Sequence, residues 1–434
     1  MADLSGQRIA VVGINYAPEH AGVAPYTTNA CEHFAREGAE VEVLAGVPHY
    51  PHWTVPGEYK WKLRTSESHA GVSVQRLRHF VPRSQNALSR AAYEASFAAN
   101  VRLQRLPWQP TVVLAVVPSL LAAFSAARLA ARHDARLVIW VQDLMGQACA
   151  QSGMTGGSQV SGLTGALERS VLRRADRVVV INEAFRSHLV GQGLSPDKIS
   201  VVRNWSHVDP PRGDRRSTRR RLGWRDDQVI ALHSGNMGLK QGLENVVEAA
   251  REASSQQPHV RFVLMGDGSQ RAELETLGKD VAGLEFLPPA PNDEFADVLA
   301  AADVLLVNER ASAVDMSLPS KLTSYLRTGA PVLAAVPSGG GTATEVARSG
   351  AGLVVTPEEP QALLDGVVGI SQHPEVLERF RASARDYVAR HLSAEGALGQ
   401  LTEALTTDGF DPYPQDASTL GRQRVQHTDR ETVA

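Results

Sequence analysis

Cysteine is nearly absent: the 434 residues hold two, Cys31 and Cys149. Two thiols cannot build a disulfide scaffold or a multi-cysteine zinc module, so a reduced, cytoplasmic setting is expected. Long apolar runs are missing as well. The apolar stretch 111–127 is shorter than the ~20 residues a spanning helix needs, and Pro118 splits it. No basic start leads into an apolar core and a cleavage site before Ile9, so an export signal is not expected. Charge of one sign is lacking too. Lys and Arg number 44 against 47 Asp and Glu, a formal net charge of −3. A global basic field for nucleic acid is therefore absent. What is present is an ordinary globular composition, with 43% hydrophobic and 21% charged residues and a mean hydropathy of −0.19.

Short β-branched runs recur with helical stretches between them. One series is Ile9 to Val12, Val41 to Leu44, Val112 to Val117, Leu137 to Val141 and Arg177 to Ile181. A second starts at Val229, Arg261, Leu284, Val304, Val332 and Leu353. Most are apolar without alternation, which is the signature of strands covered on both faces. Leu243, Val246, Val247 and Ala250 follow the helical spacing. Alternating strand and helix predicts parallel, doubly wound sheets. Eleven strands are too many for one such sheet, so two Rossmann-like α/β domains are expected to face each other across a cleft. The boundaries are 1–206 for the first domain and 207–390 for the second. A helix over 391–408 would pack back toward the first domain, and 409–434 would be a disordered tail. The arginine-rich stretch 212–221 reads as a solvated helix start, with contact to an anionic membrane as its functional alternative.

Ligands of such sheets sit at the carboxyl ends of the strands, so the loops there carry the candidates. The loop after Val12 runs Gly13-Ile-Asn-Tyr-Ala-Pro-Glu-His-Ala-Gly. It is not a G-x-G-x-x-G fingerprint, which disfavours a nicotinamide cofactor. The loop after Leu232, Ser234-Gly-Asn-Met-Gly-Leu-Lys-Gln-Gly, sets Gly235, Gly238 and Gly242 beside Asn236, Lys240 and Gln241. Backbone donors, amides and one cation suit a diphosphate. Met265-Gly-Asp-Gly is either a third such loop or a tight turn. In Pro319-Ser-Lys-Leu-Thr, proline fits a first helical turn and places Ser320 and Lys321 at the positive helix end. His49 and His52 form an H-x-x-H pair, but further ligands are absent nearby, and no metal site is expected. Tyr50 and Trp53 in that loop would stack on a sugar ring or pack.

This ordered set resembles the retaining glycosyltransferases of family 4, which have the GT-B fold, and above all their colanic-acid and O-antigen exopolysaccharide subgroup. The residues that carry the resemblance include Gly13 to Glu19, Pro48-His-Tyr-Pro-His-Trp, Trp140-Val-Gln-Asp-Leu, Ser234 to Gly238, Gly266-Asp-Gly, Ala301-Ala-Asp-Val-Leu-Leu-Val and Pro319-Ser-Lys-Leu. They span roughly residues 8 to 400 in the family order. The resemblance implies transfer of a sugar from a nucleoside-diphosphate sugar, a UDP-sugar from the subgroup, to a hydroxyl of a glycan, lipid-linked or small-molecule acceptor. It implies Gly22, Gly235, Asn236, Lys240, Gln241, Gly266, Asp267, Pro319, Ser320 and Thr323 as donor contacts. Asn15, Glu19, His20, Tyr26, His49 and Trp53 stand as acceptor contacts, and Lys321 and Asp143 as catalytic. Two departures stand out. Asn236 and Gln241 replace the Arg and Lys of many members, and Met316 and Ser324 replace the paired glutamates of E-x7-E. No D-x-D occurs, so a metal bridging the diphosphate is not implied, and Lys321 is expected to supply the positive charge. No cofactor, no nucleic-acid partner and a peripheral contact at the inner face of the membrane complete the expectations. A nucleotide-sugar 2-epimerase using Glu309 and Asp143, or an inactive sugar-nucleotide-binding partner subunit, are the alternatives.

Overall fold

The computed structural model describes residues 3–19, 22–50, 53–82, 87–144, 157–206, 208, 210–312 and 320–407. The expected tail 409–434 lies outside them, as do His20, His52, Cys149, Met316 and Pro319.

Two Rossmann-like domains with parallel-sheet cores make up the chain. The first sheet holds β1 (Arg8–Gly13), β2 (Glu40–Gly46), β3 (Arg64–His69), β4 (Val72–Leu77), β5 (Val112–Val117), β6 (Arg136–Val141), β7 (Arg177–Val180) and β8 (Ile199–Val201). Their order is β3-β4-β2-β1-β5-β6-β7-β8. Among the described residues only β3, on β4, runs antiparallel. The second sheet holds β9 (Val229–Asn236), β10 (Val260–Asp267), β11 (Leu284–Leu287), β12 (Val304–Asn308), β13 (Val332–Ala335) and β14 (Gly352–Val355), ordered β11-β10-β9-β12-β13-β14. Among the described residues there are thus three strands more than the apolar runs predicted: β3, β4 and β8. β3 is polar and largely exposed, and β8 is only three residues long, so neither writes a buried run into the sequence.

The central strands of each sheet are buried on both faces, which is why they read as unbroken apolar stretches. In the first domain Val113, Ala115 and Ile139 face one core, while Val112, Leu114, Val138 and Trp140 face the other. The helix Ala394–Thr406 completes that second core with Leu398, Leu401 and Leu405, and Arg136 donates to the Thr407 carbonyl at 2.6 Å. The last helix therefore belongs to the first domain's packing. Trp140 and Trp205 stack beneath it, 6.1 Å between centroids.

The arginine-rich stretch is a helix start that is solvated on one side: Arg212, Arg216, Arg220 and Arg221 are exposed, but Arg219 is not. Asp214 caps the helix Arg215–Arg221 by accepting from Ser217 N at 2.9 Å. Arg219 is buried and donates to the carbonyls of Ala301, Arg225 and Gln228 and to Asp303. Asp303 also holds Arg215 at 2.5 Å. A buried guanidinium needs such partners, and Asp303, one residue before β12, supplies the charge. Arg216 and Arg220 stay exposed.

The topology fixes where a ligand can sit. The direction in which strands are added reverses between the parallel neighbours β1 and β5 in one sheet and β9 and β12 in the other. The crevice of a doubly wound sheet lies at the carboxyl ends of such strands. That puts the loops after Gly13 and Asn236, and the residues after Asn308, at the two crevices.

Candidate active site

The second-domain crevice is built from two glycines in register. Gly235 on β9 pairs with Gly266 on β10, and both have positive φ, 121° and 145°. A Cβ on Gly266 would lie 1.9 Å from the Gly235 carbonyl oxygen. Only glycine lets the strands end this close together. Gly235 and Asn236 are exposed beyond that point.

The turn 238–242 that follows is braced from below. Gln241 Oε1 accepts from Gly238 N at 3.1 Å. Asn308 Nδ2 donates to the carbonyls of Gln241 and Gly242 at 2.7 and 2.9 Å, and its oxygen accepts from Asn245. Arg310 donates to the Leu239 carbonyl at 2.7 Å, pairs with Glu244 at 2.5 Å, and its backbone N–H donates to the Lys240 carbonyl. Lys240 itself is exposed. Gln241 thus braces the turn with its side-chain oxygen. Asp267 is exposed at the end of β10 and accepts from Gly268 N at 2.7 Å.

The helix Ser320–Thr328 starts beside this turn. Tyr325 is buried, accepts from Ser234 N at 2.7 Å and donates to the Ser234 carbonyl at 3.1 Å. That contact ties the helix to the end of β9. One turn earlier, Lys321 Nζ reaches to 3.8 Å from where a Gly235 Cβ would stand and 3.4 Å from His233 Nε2. Burial pushes the Lys321 ammonium down to about 8, Glu309 opposes that shift and Lys240 adds to it. Burial, then the Lys321 charge, hold His233 well below the usual histidine range, which keeps the imidazole neutral. Glu309 is buried and accepts from Thr342 at 3.2 Å. Glycine turn, helix start and ammonium therefore converge on one point, where an anion meets dipoles and charge together. The Pro319 and Ser320 side chains lie outside the described residues.

The first-domain loop is put together differently. Glu19 is buried; Oε1 accepts from His49 N and Tyr50 N at 2.8 Å each, and Oε2 accepts from Asn15 Nδ2 at 2.8 Å. Arg76, also buried, donates to the Ala17 carbonyl and to Glu67 and lies over the Tyr16 ring. The Tyr50 ring covers Gly22, 3.4 Å from where a Cβ would be, and Gly22 has φ 65°. His49 is buried, with Nδ1 2.9 Å from the Val47 carbonyl and Nε2 3.0 Å from the Tyr93 hydroxyl. Its ring packs among Trp53, His79 and Tyr93. Burial, then the His49 ring, push His79 down to about 3. Glu19 and His49 are thus buried struts of the loop, which tells against their reading as acceptor contacts, whereas Asn15 is half-buried and braces Glu19 through its amide nitrogen. Trp53, with φ 52°, is part of the same packed cluster.

Tyr26 corrects that reading as well. Its ring packs edge-on against Trp205, and its hydroxyl hydrogen-bonds Thr323 on the helix that carries Lys321. Both side chains are buried. Tyr26 and Thr323 bridge the domains. Asp143 follows β6 at the carboxyl edge of the first sheet, half-buried. Sequence reasoning missed His233, Asn308, Arg310, Tyr325 and Arg76. The run Asn308-Glu-Arg directly after a strand was a readable signal for two of them; Tyr325 and Arg76 carry none.

Two doubly wound sheets, each with its own switch point, joined across the domains by Tyr26 and Thr323 and carrying a glycine turn and a cationic helix start on the second, define the GT-B class of glycosyltransferase. Residues 21–205 match the family Glycosyl transferase 4-like domain, and residues 214–387 match Glycosyl transferases group 1. The chain is 32% identical to an Escherichia coli (strain K12) colanic acid biosynthesis glycosyl transferase, WcaI, over 91% of this chain and 98% of the relative. The chain belongs to the family 4 glycosyltransferases and is a glycosyltransferase. It is also 25% identical, over 58% of its length and 64% of the relative, to a GDP-mannose-dependent phosphatidylinositol monomannoside mannosyltransferase of Corynebacterium glutamicum. The fold is shared with the sucrose-phosphate synthase of Thermosynechococcus elongatus (TM-score 0.70, 18% identity, 92% of this chain and 98% of that one). It is shared equally with WaaG, a glycosyltransferase involved in lipopolysaccharide biosynthesis (TM-score 0.65, 15% identity, 92% and 99%).

Proposed function

We propose that the protein moves a sugar from a nucleoside-diphosphate sugar, with UDP as the favoured nucleotide, onto a hydroxyl of a glycan, lipid-linked or small-molecule acceptor. The observation that carries this reading is the position of Lys321 Nζ against Gly235. As the bond at the anomeric carbon breaks, negative charge collects on the leaving diphosphate. A prearranged ammonium and the N–H groups of a helix start and glycine turn stabilise that charge more than the ground state. The first domain supplies a rigid wall for the acceptor. With retention of configuration by attack on the donor face of the sugar, the departing phosphate oxygen takes the acceptor proton and no separate base is needed. Nothing in this arrangement requires a divalent ion between protein and diphosphate. A cytoplasmic location, where nucleotide sugars are made, is part of the same reading, and no helix among the described residues is long and apolar enough to cross a membrane.

The test begins with thermal shift against a panel of nucleotide sugars, since a ligand that binds only the folded chain raises its melting point. The stabilising donor is then offered with acceptors, with and without chelator. Transfer that survives the chelator supports the reading. Transfer abolished by the chelator, or a donor that is epimerised with no acceptor present, refutes it.

A further inference from the structure

Three of the four most exposed large apolar side chains among the described residues lie on one rim of the first domain. Trp61 is 87% exposed, Leu63 82% and Leu103 76%. Trp61 and Leu63 alternate with bases in the run Lys60-Trp-Lys-Leu-Arg, which leads into β3, the edge strand of its sheet. Leu103 ends the helix Ala87–Leu103 beside it. Arg64 donates to Gln104 at 3.2 Å, Arg78 N donates to the Leu63 carbonyl at 3.0 Å, and Asn100 donates to the Arg78 carbonyl at 2.7 Å. These bonds join the run and the helix end into one surface.

The rim is held in shape from behind. Tyr59 is buried and donates to Glu67 at 2.8 Å, and Arg78 donates to the Lys60 carbonyl. Of the nearby acids, Glu67 is already engaged by Tyr59 and Arg76, which leaves Glu58 against Lys60, Lys62 and Arg64. A locally basic face stands on a chain of net charge −3. A rigid surface that shows tryptophan and leucine between ammonium and guanidinium groups matches the boundary of an anionic bilayer, apolar just below a layer of phosphates. A second copy docked through a two-fold axis would set these like charges against one another.

We propose that this rim seats the protein on an anionic lipid surface. Trp61, Leu63 and Leu103 enter the headgroup region, and Lys60, Lys62 and Arg64 meet the lipid phosphates. The inference is independent of the donor chemistry, because binding is read without turnover. The experiment is flotation of the full chain with vesicles of phosphatidylcholine alone or mixed with phosphatidylglycerol. Binding is expected to the mixed vesicles only, and to weaken with added salt. The pair K60E/K62E weakens it by about 25-fold or more, at about fivefold per lost base. The pair W61S/L63S weakens it by about tenfold or more. R216E/R220E, on the exposed face of the other basic helix, leaves it unchanged. All six side chains are exposed, so melting points should hold. Absence of binding to mixed vesicles, or equal binding by all variants, overturns the proposal. So does a dimer, seen by light scattering, that W61S/L63S dissociates, since that would give the rim to a second copy.

Discussion

The loops after β1 and β9 hold equivalent places in two sheets of the same design, yet one is packed shut and the other stands open. After β1, a buried carboxylate spends both oxygens on Asn15 and on the backbone of residues 49 and 50, and the Tyr50 ring covers Gly22. After β9, Gly235, Asn236 and Lys240 are exposed, and the bracing comes from beneath through Asn308 and Arg310. One fold thus yields a wall and a grip. The difference arises from side chains: Glu19 from the loop itself and Arg76 from β4 pack the first loop, while glycine at 235, 238, 242, 266 and 268 keeps the second clear.

The largest effect should come from closing the grip. Gly266→Ala puts a methyl 1.9 Å from the Gly235 carbonyl at φ 145°. Backbone cannot yield that far, so a loss on the order of 4 kcal/mol or more is expected, measured as a lower melting point with loss of donor-induced stabilisation. An unchanged melting point would mean the two glycines are not pinched together. Loosening the wall comes next. Glu19→Ala strands two buried backbone N–H groups and Asn15, a loss of about 3 kcal/mol. Donor-induced stabilisation should survive in that variant. If it disappears instead, the wall and the grip are not separable.

Much of this asymmetry could be read from the sequence, and the part that could not has a physical cause. The strands that carry the crevices, β1, β5, β9 and β12, are long apolar runs, and their loops stood out by glycine. β3 did not, because an exposed edge strand carries polar residues, and β4 did not, because its buried positions include Gln75 and Arg76. Glu19, His49 and Tyr26 looked like ligand contacts because a polar residue near a strand end is the same letter whether it faces solvent or a backbone amide. Their partners lie far along the chain: Glu19 to Tyr50, His49 to Tyr93, Tyr26 to Thr323. Lys321 was visible because proline and lysine at a helix start carry a local meaning, whereas Tyr325, which fixes that helix to β9, looks like any core aromatic.

Within the grip, Lys321→Ala should cut turnover by about 10²-fold, the scale of one lost transition-state stabiliser, with the fold kept. Unchanged turnover would assign the charge to another group. The pH profile sharpens this. Because burial sets the Lys321 ammonium at about 8, it is charged below that pH, and turnover should fall as pH rises through it. Lys321→Arg should flatten that alkaline limb, whatever its level of activity. Stability runs the other way: between about 8 and 10.5 the folded chain holds fewer protons on this group than the unfolded chain, so this residue favours folding more as pH rises. A parallel decline of activity and melting point across that window would point to unfolding and not to the ammonium.

The smallest effect separates bracing from contact. Arg310 does not reach Gly235 or Lys321 in its described contacts; it holds the Leu239 and Lys240 carbonyls and Glu244. The pair with Glu244 is partly exposed and worth little, so the weight lies on the bond to the Leu239 carbonyl. Arg310→Met keeps the stem that packs beside Gly242 and removes that bond. Donor affinity should fall by roughly three- to tenfold, the value of one hydrogen bond, while the melting point without donor and the pH at which the alkaline limb bends stay where they were. A hundredfold loss would make Arg310 a direct partner of the donor, and its guanidinium would join Lys321 and Lys240 in the open crevice.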